Sequence, residues 1–217
     1  MDAREGLVTE YPEIKARFKR ETAGHEMTVV HDDGLYRHLR FVNPKTGLYW
    51  YEIVTTPGQL VFSGDGDSFV FRLAPDMFEM FRQSADSGSI NATYWAEKCK
   101  TGNARSYSRE LFEQYVWKQV DERKQYFRGD LRADVQHYIL DSEIYNVDYE
   151  ADALMAVLGY QYHLTKTRDD RGNWDTFRFR HVHEWELKDF DWWFLFACYA
   201  ISDAIVKYDA ASKAVAA

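Results

Sequence analysis

A chain of 217 residues is long enough to bury a sizeable core and short enough for one domain, and its 46% hydrophobic and 29% charged residues mark a globular rather than a disordered protein. The formal net charge of −8 opposes phosphate backbones and anionic membrane surfaces, so direct nucleic-acid binding and membrane association are disfavoured. Aromatic residues reach 17%, which enlarges the core and supplies surface able to anchor a partner.

The start, MDAREGLVTEYPEIKARFKR, has no apolar run of the kind an export signal carries. Cys99 and Cys198 both fall in apolar helical contexts, as expected of buried thiols in a reducing compartment rather than of a disulfide framework. A cytoplasmic location follows as the expectation. Residues 1–11 are expected to be flexible, and Pro12 to Glu21 reads as a short charged helix that only Ile14 and Phe18 can dock.

From Met27 to Leu73 the chain becomes a set of short, aromatic-rich strands: Met27–His31, Leu35–Val42, Tyr49–Thr55, Gln59–Ser63 and Ser68–Leu73. Asp33-Gly34, Asn43-Pro44, Pro57-Gly58 and Gly64-Asp65-Gly66 supply the turns between them. Connections this short require antiparallel neighbours, because a parallel return needs a long crossover.

Over residues 75–158 the period changes to that of a helix. Short helices are predicted at Pro75–Arg82 and Ile90–Lys100, and a longer one at Ser108–Lys124, where Leu111, Phe112, Tyr115, Val116 and Val120 form a stripe behind a Ser cap. Leu131–Leu140 and Ala151–Leu158 read as two more. Residues 159–187 then alternate with period two about the turn Asp169–Asn173, which predicts a β-hairpin. Residues 189–208 form an apolar closing helix whose Trp192–Ile201 core is about half the ~20 residues needed to span a membrane, and 209–217 are expected to fray. The sum is a single α+β domain over 1–217: an antiparallel β-meander sheet of about five to seven strands, the late hairpin included, packed with about five or six helices.

Charge is most asymmetric between Ala133 and Thr165, which holds Asp134, Asp141, Glu143, Asp148, Glu150 and Asp152 and no Lys or Arg. Tyr138, Tyr145 and Tyr149 are interleaved, so the segment can present anchoring rings in a field that guides a basic groove towards it. A solvated acidic face around a helix-helix turn, with Asp and Glu favoured near a helix N-terminus, is the alternative.

Other constellations are thinner. In the second hairpin strand His181 and His183 are placed on one face with Phe177, Phe179 and Trp185, and with His163 opposite they could share a metal, but zinc needs further close ligands that the sequence does not identify. Gly64–Ser68 lacks the lysine of a phosphate loop and the spaced acids of a calcium loop, and reads as a turn. Asp148, Glu150 and Asp152 could hold Mg²⁺ only if strand or loop geometry made them converge. Arg168, Arg171, Arg178 and Arg180 form a hairpin stripe that could bind a phosphate or pair with the acidic segment, though solvation and loose pairing with Asp169, Asp170 and Asp175 explain it better. Nucleophile patterns such as G-x-S-x-G are missing, and no cofactor is expected.

HDDGLYRHLRFVNPKTGLYWYEIVTTPGQLVFSGDGDSFVFRL, followed by DMFEMFR, YWAEK and FLFACYAISDAIVKYD, resembles a group of proteins encoded by tailed bacteriophages, with Tyr49–Gly66 the most specific part. The resemblance covers about His31 to Asp209 and carries no catalytic residue or cofactor with it. It implies a viral protein acting in the bacterial cytoplasm. The expected function is non-enzymatic: binding and inhibition of a host defence or nucleic-acid-processing protein, in the manner of anti-CRISPR and anti-restriction proteins, through Asp134, Asp141, Glu143, Tyr145, Asp148, Tyr149, Glu150 and Asp152. The alternatives are a metal-dependent hydrolase acting on a nucleotide or nucleic acid, and an accessory protein that self-associates through exposed aromatics.

Overall fold

The computed structural model describes residues 11–163 and 176–216. They fall into two compact units, one built from the chain up to Arg105 together with that from Phe190 onward, the other from Ser106–Asp189, where the sequence suggests one domain. Each unit has its own hydrophobic cluster, so the division is one of cores. Composition conceals it because no linker marks the crossings: the chain passes between the units at the strands later labelled β7 and β8.

The first unit opens with α1 (Pro12–Glu21), docked by the buried Phe18, and continues into a six-stranded antiparallel sheet in sequence order. Its strands are β1 (Glu26–Asp33), β2 (Tyr36–Val42), β3 (Tyr51–Thr56), β4 (Gln59–Gly64), β5 (Phe69–Phe71) and β6 (Cys99–Thr101). The last was expected to be helical. Three residues carry too little local pattern to declare a strand, and β6 is fixed by its ladder with β5 after an excursion through α2 (Met77–Ser87) and α3 (Ala92–Lys98).

Alternation decides which face of the sheet is dry. Leu39 lies opposite Ile53, Ile53 opposite Phe62 and Phe62 opposite Phe69, so one row of apolar side chains crosses four strands. Closing helix α7 (Trp192–Ala216) covers that face, with Phe194 edge-on to Phe69 at 5.5 Å between ring centroids. α7 runs beyond the point where fraying was expected. Arg82 on α2 grips Asp209 through two hydrogen bonds of 3.0 and 3.1 Å, Tyr208 donates to Asp32, and the alanine-rich end favours helix.

At the head of α2, Arg37 donates to both oxygens of Asp76 at 2.9 and 3.1 Å while its guanidinium lies 4.6 Å from the Phe78 ring centre. Asp76 also accepts from the Phe78 N–H, capping the helix.

The second unit begins and ends at a two-stranded sheet of β7 (Arg105–Tyr107) and β8 (Lys188–Phe190). Between them lie α4 (Arg109–Arg123), capped by Ser108, α5 (Leu131–Val135), capped by Asp130, and α6 (Glu150–Gly159). That makes seven α-helices among the described residues, against the five or six expected. Directly after α5 the backbone widens into a π-turn over Gln136–Leu140, closed by the Asp141 N–H on the Gln136 carbonyl at 2.8 Å. The sequence reads this stretch as ordinary helix; a π-turn is a form that recurs at functional sites.

The long hairpin over 159–187 is corrected. Among the described residues its pairing is a single antiparallel bridge, Tyr162 with Phe177, and the turn Asp169–Asn173 with Arg168 and Arg171 lies outside them, as do residues 1–10. Phe177 and Phe179 are buried as alternation requires, but His181 adopts the left-handed conformation (φ 53°) and a 3₁₀ turn follows over Val182–Glu184. That break moves the inward position to Val182. His181 and His183 therefore face solvent instead of the aromatic face, since a valine loses nothing on burial that an imidazole would.

Burial works against the Asp76 carboxylate, but the Arg37 guanidinium and the Phe78 N–H outweigh it and hold its pKa below the usual carboxylate value. Asp76→Ala should cost the first unit about 3 kcal/mol by leaving Arg37 buried and unpaired, measured by urea denaturation. In the wild type the stabilisation from this carboxylate is complete above an unfolded pKa of about 3.9 and disappears as pH falls through the lower folded value, so Asp76→Ala should lose part of the acid sensitivity seen in a stability profile.

Candidate functional site

The second unit carries a concave site of about 930 Å³ whose walls come from three consecutive pieces of chain: the end of α5 with its π-turn, the loop that follows, and the exit of α6. The first wall presents Asp134, His137 and Tyr138. Widening of the helix lets Ile139 and Leu140 both enter the core, which leaves His137 and Tyr138 on the open side, edge to face at 4.6 Å. Asp141, Glu143, Ile144 and Tyr145 come from the loop, and Tyr160, Gln161, Tyr162 and His163 from the far wall.

The loop keeps its shape by local hydrogen bonds and not by counterions. Ser142 Oγ accepts from the N–H groups of Ile144 and Tyr145, Asn146 Oδ1 from Asp148, and Asp152 Oδ2 from Asn146, each between 3.1 and 3.2 Å. Val147 is buried, and its carbonyl accepts from the Tyr107 hydroxyl at 2.9 Å, whose pKa burial pushes up to about 12.

Two tyrosines fix the far wall. Tyr160 closes α6 and donates its hydroxyl to the Asp134 carboxylate; Tyr162 donates to the Arg128 carbonyl at 2.7 Å. Burial, and then the bond to Asp134, raises the Tyr160 pKa well above its ordinary value, so the phenol stays protonated as the donor. Both rings pack on Phe127 or Phe177 in the core.

The expected partner-binding residues distribute unequally over this geometry. Asp134, Asp141, Glu143 and Tyr145 line the one cleft, and Asp141 and Glu143 also border a shallower depression that includes Asp152. Asp148 is drawn away by Arg109 at 2.8 Å, which also holds Glu113. Glu150 stands at the start of α6 in a separate hollow of about 420 Å³ with Leu154, Leu158 and Trp185. For Glu150 and Asp152, in the first turn of α6, a helix N-terminal preference is explanation enough. Tyr149 is 66% exposed just before that turn.

Asp134 and Asp141 are met only by hydrogen bonds from Tyr160 and Gln136, and Glu143 makes neither hydrogen bond nor ion pair among the described residues. Among the described arginines, Arg132 is held on Asp121 at 2.9 Å over the Trp117 ring, Arg109 on its two acids and Arg178 on the cleft residue Gln161 at 2.9 Å, so none of the three pairs with Asp134, Asp141 or Glu143. Around these carboxylates Tyr138 and Ile144 are exposed by 58% and 82%.

The histidines do not assemble as a zinc site would require. His181 and His183 both approach Glu184 Oε1, at 3.2 and 3.4 Å, in the hollow with Glu150, while His163 lines the larger cleft beside Thr176. Among the described residues no group of three or more His, Cys, Asp or Glu side chains is placed to hold a metal ion. Asp148, Glu150 and Asp152 likewise point to three different partners or hollows.

Sequence reasoning finds the acidic segment and misses His137, Tyr160, Gln161 and Tyr162. For Tyr160 and Tyr162 the signal is aromatic density after α6, which period-two alternation assigns to a hairpin; His137, on the π-turn, has none. No family model, curated protein or solved structure matches the chain. Among the described residues no helix is long and apolar enough to cross a membrane.

Because Asp134 is a charged acceptor, Tyr160→Phe should destabilise the second unit by about 1.5 kcal/mol, and Tyr162→Phe, which loses a bond to a neutral carbonyl, by about 1 kcal/mol, both read from urea midpoints at constant slope.

Proposed function

We propose that this is a non-enzymatic binding protein whose acidic, tyrosine-bearing segment engages a basic groove on another protein. The observation that carries the reading is the absence of any cation from Asp134, Asp141 and Glu143 among the described residues, next to the exposed Tyr138 and Ile144. Elsewhere in the molecule carboxylates such as Asp76, Asp121 and Asp209 are paired with arginine. Charge left unpaired beside exposed apolar anchors matches the make-up of a surface that steers an oppositely charged partner and then packs against it.

The resemblance of His31–Asp209 to proteins of tailed bacteriophages supplies the setting for this reading: a phage protein in the host cytoplasm that blocks a bacterial defence or nucleic-acid-processing protein. Among the described residues no converging ligand set supports the hydrolase alternative.

Immobilised protein should retain a basic protein from bacterial lysate, and the triple variant Asp141→Lys, Glu143→Lys, Glu150→Lys should lose that capture with an unchanged circular dichroism spectrum. Asp148 and Asp152 are left in place because the fold uses them. Capture that survives the triple reversal sinks the proposal.

A further inference from the structure

We infer that the cleft between the π-turn and the exit of α6 is a socket for an arginine side chain carried on an extended basic segment of the partner. The inference rests on the reading of this face as a partner surface, and it adds which chemical group is anchored and where.

Three properties of the cleft select that ligand. Its lining brings carboxylates from Asp134, Asp141 and Glu143, and no described Lys or Arg pairs with any of the three; the guanidinium that does reach the lining, Arg178, is held on Gln161 at 2.9 Å. A phosphate-bearing ligand would meet uncompensated negative charge instead.

The acids are also too dispersed for a point charge. No three acidic, histidine or cysteine side chains among the described residues converge as a metal site needs. A guanidinium is different: it is planar, spreads its charge and offers five N–H donors in fixed directions, so separated acceptors can each take one. On the far wall Gln161 shows the mode on a small scale, its side-chain oxygen accepting from the Arg178 guanidinium at 2.9 Å.

Four tyrosine rings complete the cleft: Tyr138 and Tyr145 on one side, the buried Tyr160 and Tyr162 on the other. Ring faces attract a guanidinium and accept its alkyl stem. The same stacking occurs within this unit, where Arg132 lies 4.0 Å from the Trp117 ring centre. Lysine fits less well because its ammonium is compact and strongly hydrated. The volume of about 930 Å³ lies near the top of the range for ligand sites, roughly 300–1,000 Å³, and so suits several residues of extended chain better than a small free cation.

The test is fluorescence anisotropy of the full chain with short labelled peptides of alternating Arg and Gly, matched peptides of Lys and Gly, and spermine as competitor. The Arg peptide should bind saturably, about tenfold tighter than the Lys peptide, and resist spermine. Asp141→Asn with Glu143→Gln should weaken it about tenfold, and Tyr138→Ala severalfold, whereas Asp67→Lys, in the turn before β5, should leave it unchanged. These loop and surface positions are exposed, and a thermal melt confirms that each variant folds.

Equal affinity for Arg and Lys peptides, full displacement by spermine, or binding indifferent to Asp141→Asn with Glu143→Gln would each overturn the socket. Lysate capture that is lost on charge reversal while the peptide titration is flat removes the socket and leaves the partner surface standing. Capture that persists after reversal removes the surface reading itself.

Discussion

The hydrogen bond from the Tyr160 hydroxyl to the Asp134 carboxylate is the contact on which the candidate site depends. It ties the end of α6 back to α5, two elements separated by a π-turn and a nine-residue loop over 141–149, and so turns a stretch of chain into a concavity. Burial keeps the phenol protonated as the donor, and its acceptor is a carboxylate that lines the cleft. The wall that shapes the cleft therefore also supplies part of its charge.

The electrostatics of the molecule then divide by purpose. Several structural carboxylates are matched by arginine: Asp76 with Arg37, Asp209 with Arg82, Asp121 with Arg132, Asp148 with Arg109. In the loop, backbone N–H groups are capped by Ser142, Asn146 and Asp152, so the fold there requires no arginine to hold Asp141 or Glu143. Like charges left together on one surface repel, and exposed isoleucine and tyrosine beside them raise the tendency to associate. Such features persist together on a surface that meets a complementary one.

Much of this was readable from residue order, and the gaps have definite causes. The first five strands and α1 follow from turn residues and alternation, which act over a few positions. β6 escaped because its pairing with β5 spans the excursion through α2 and α3. The late hairpin was over-read because Phe177, Phe179 and the residues between them alternate correctly up to the left-handed turn at His181, and nothing local announces that turn. The two-unit division was hidden by crossings made of strand, Arg-Ser-Tyr and Lys-Asp-Phe, with neither Gly nor Pro in them to mark a linker. For the site, the lack of Lys and Arg between Ala133 and Thr165 was plain, yet the neutralisation of Asp148 by Arg109 and the closure by Tyr160 are contacts across 39 and 26 positions.

The claim at the centre is that an uncompensated anionic concavity lies between the π-turn and the exit of α6. Amide ¹H–¹⁵N spectra of the full chain, titrated with N-acetyl-arginine amide, locate any such site directly. Shifts that saturate and cluster over residues 137–145 and 160–163 are the predicted result; shifts spread evenly over surface acids, or confined to the six-stranded sheet, would contradict it.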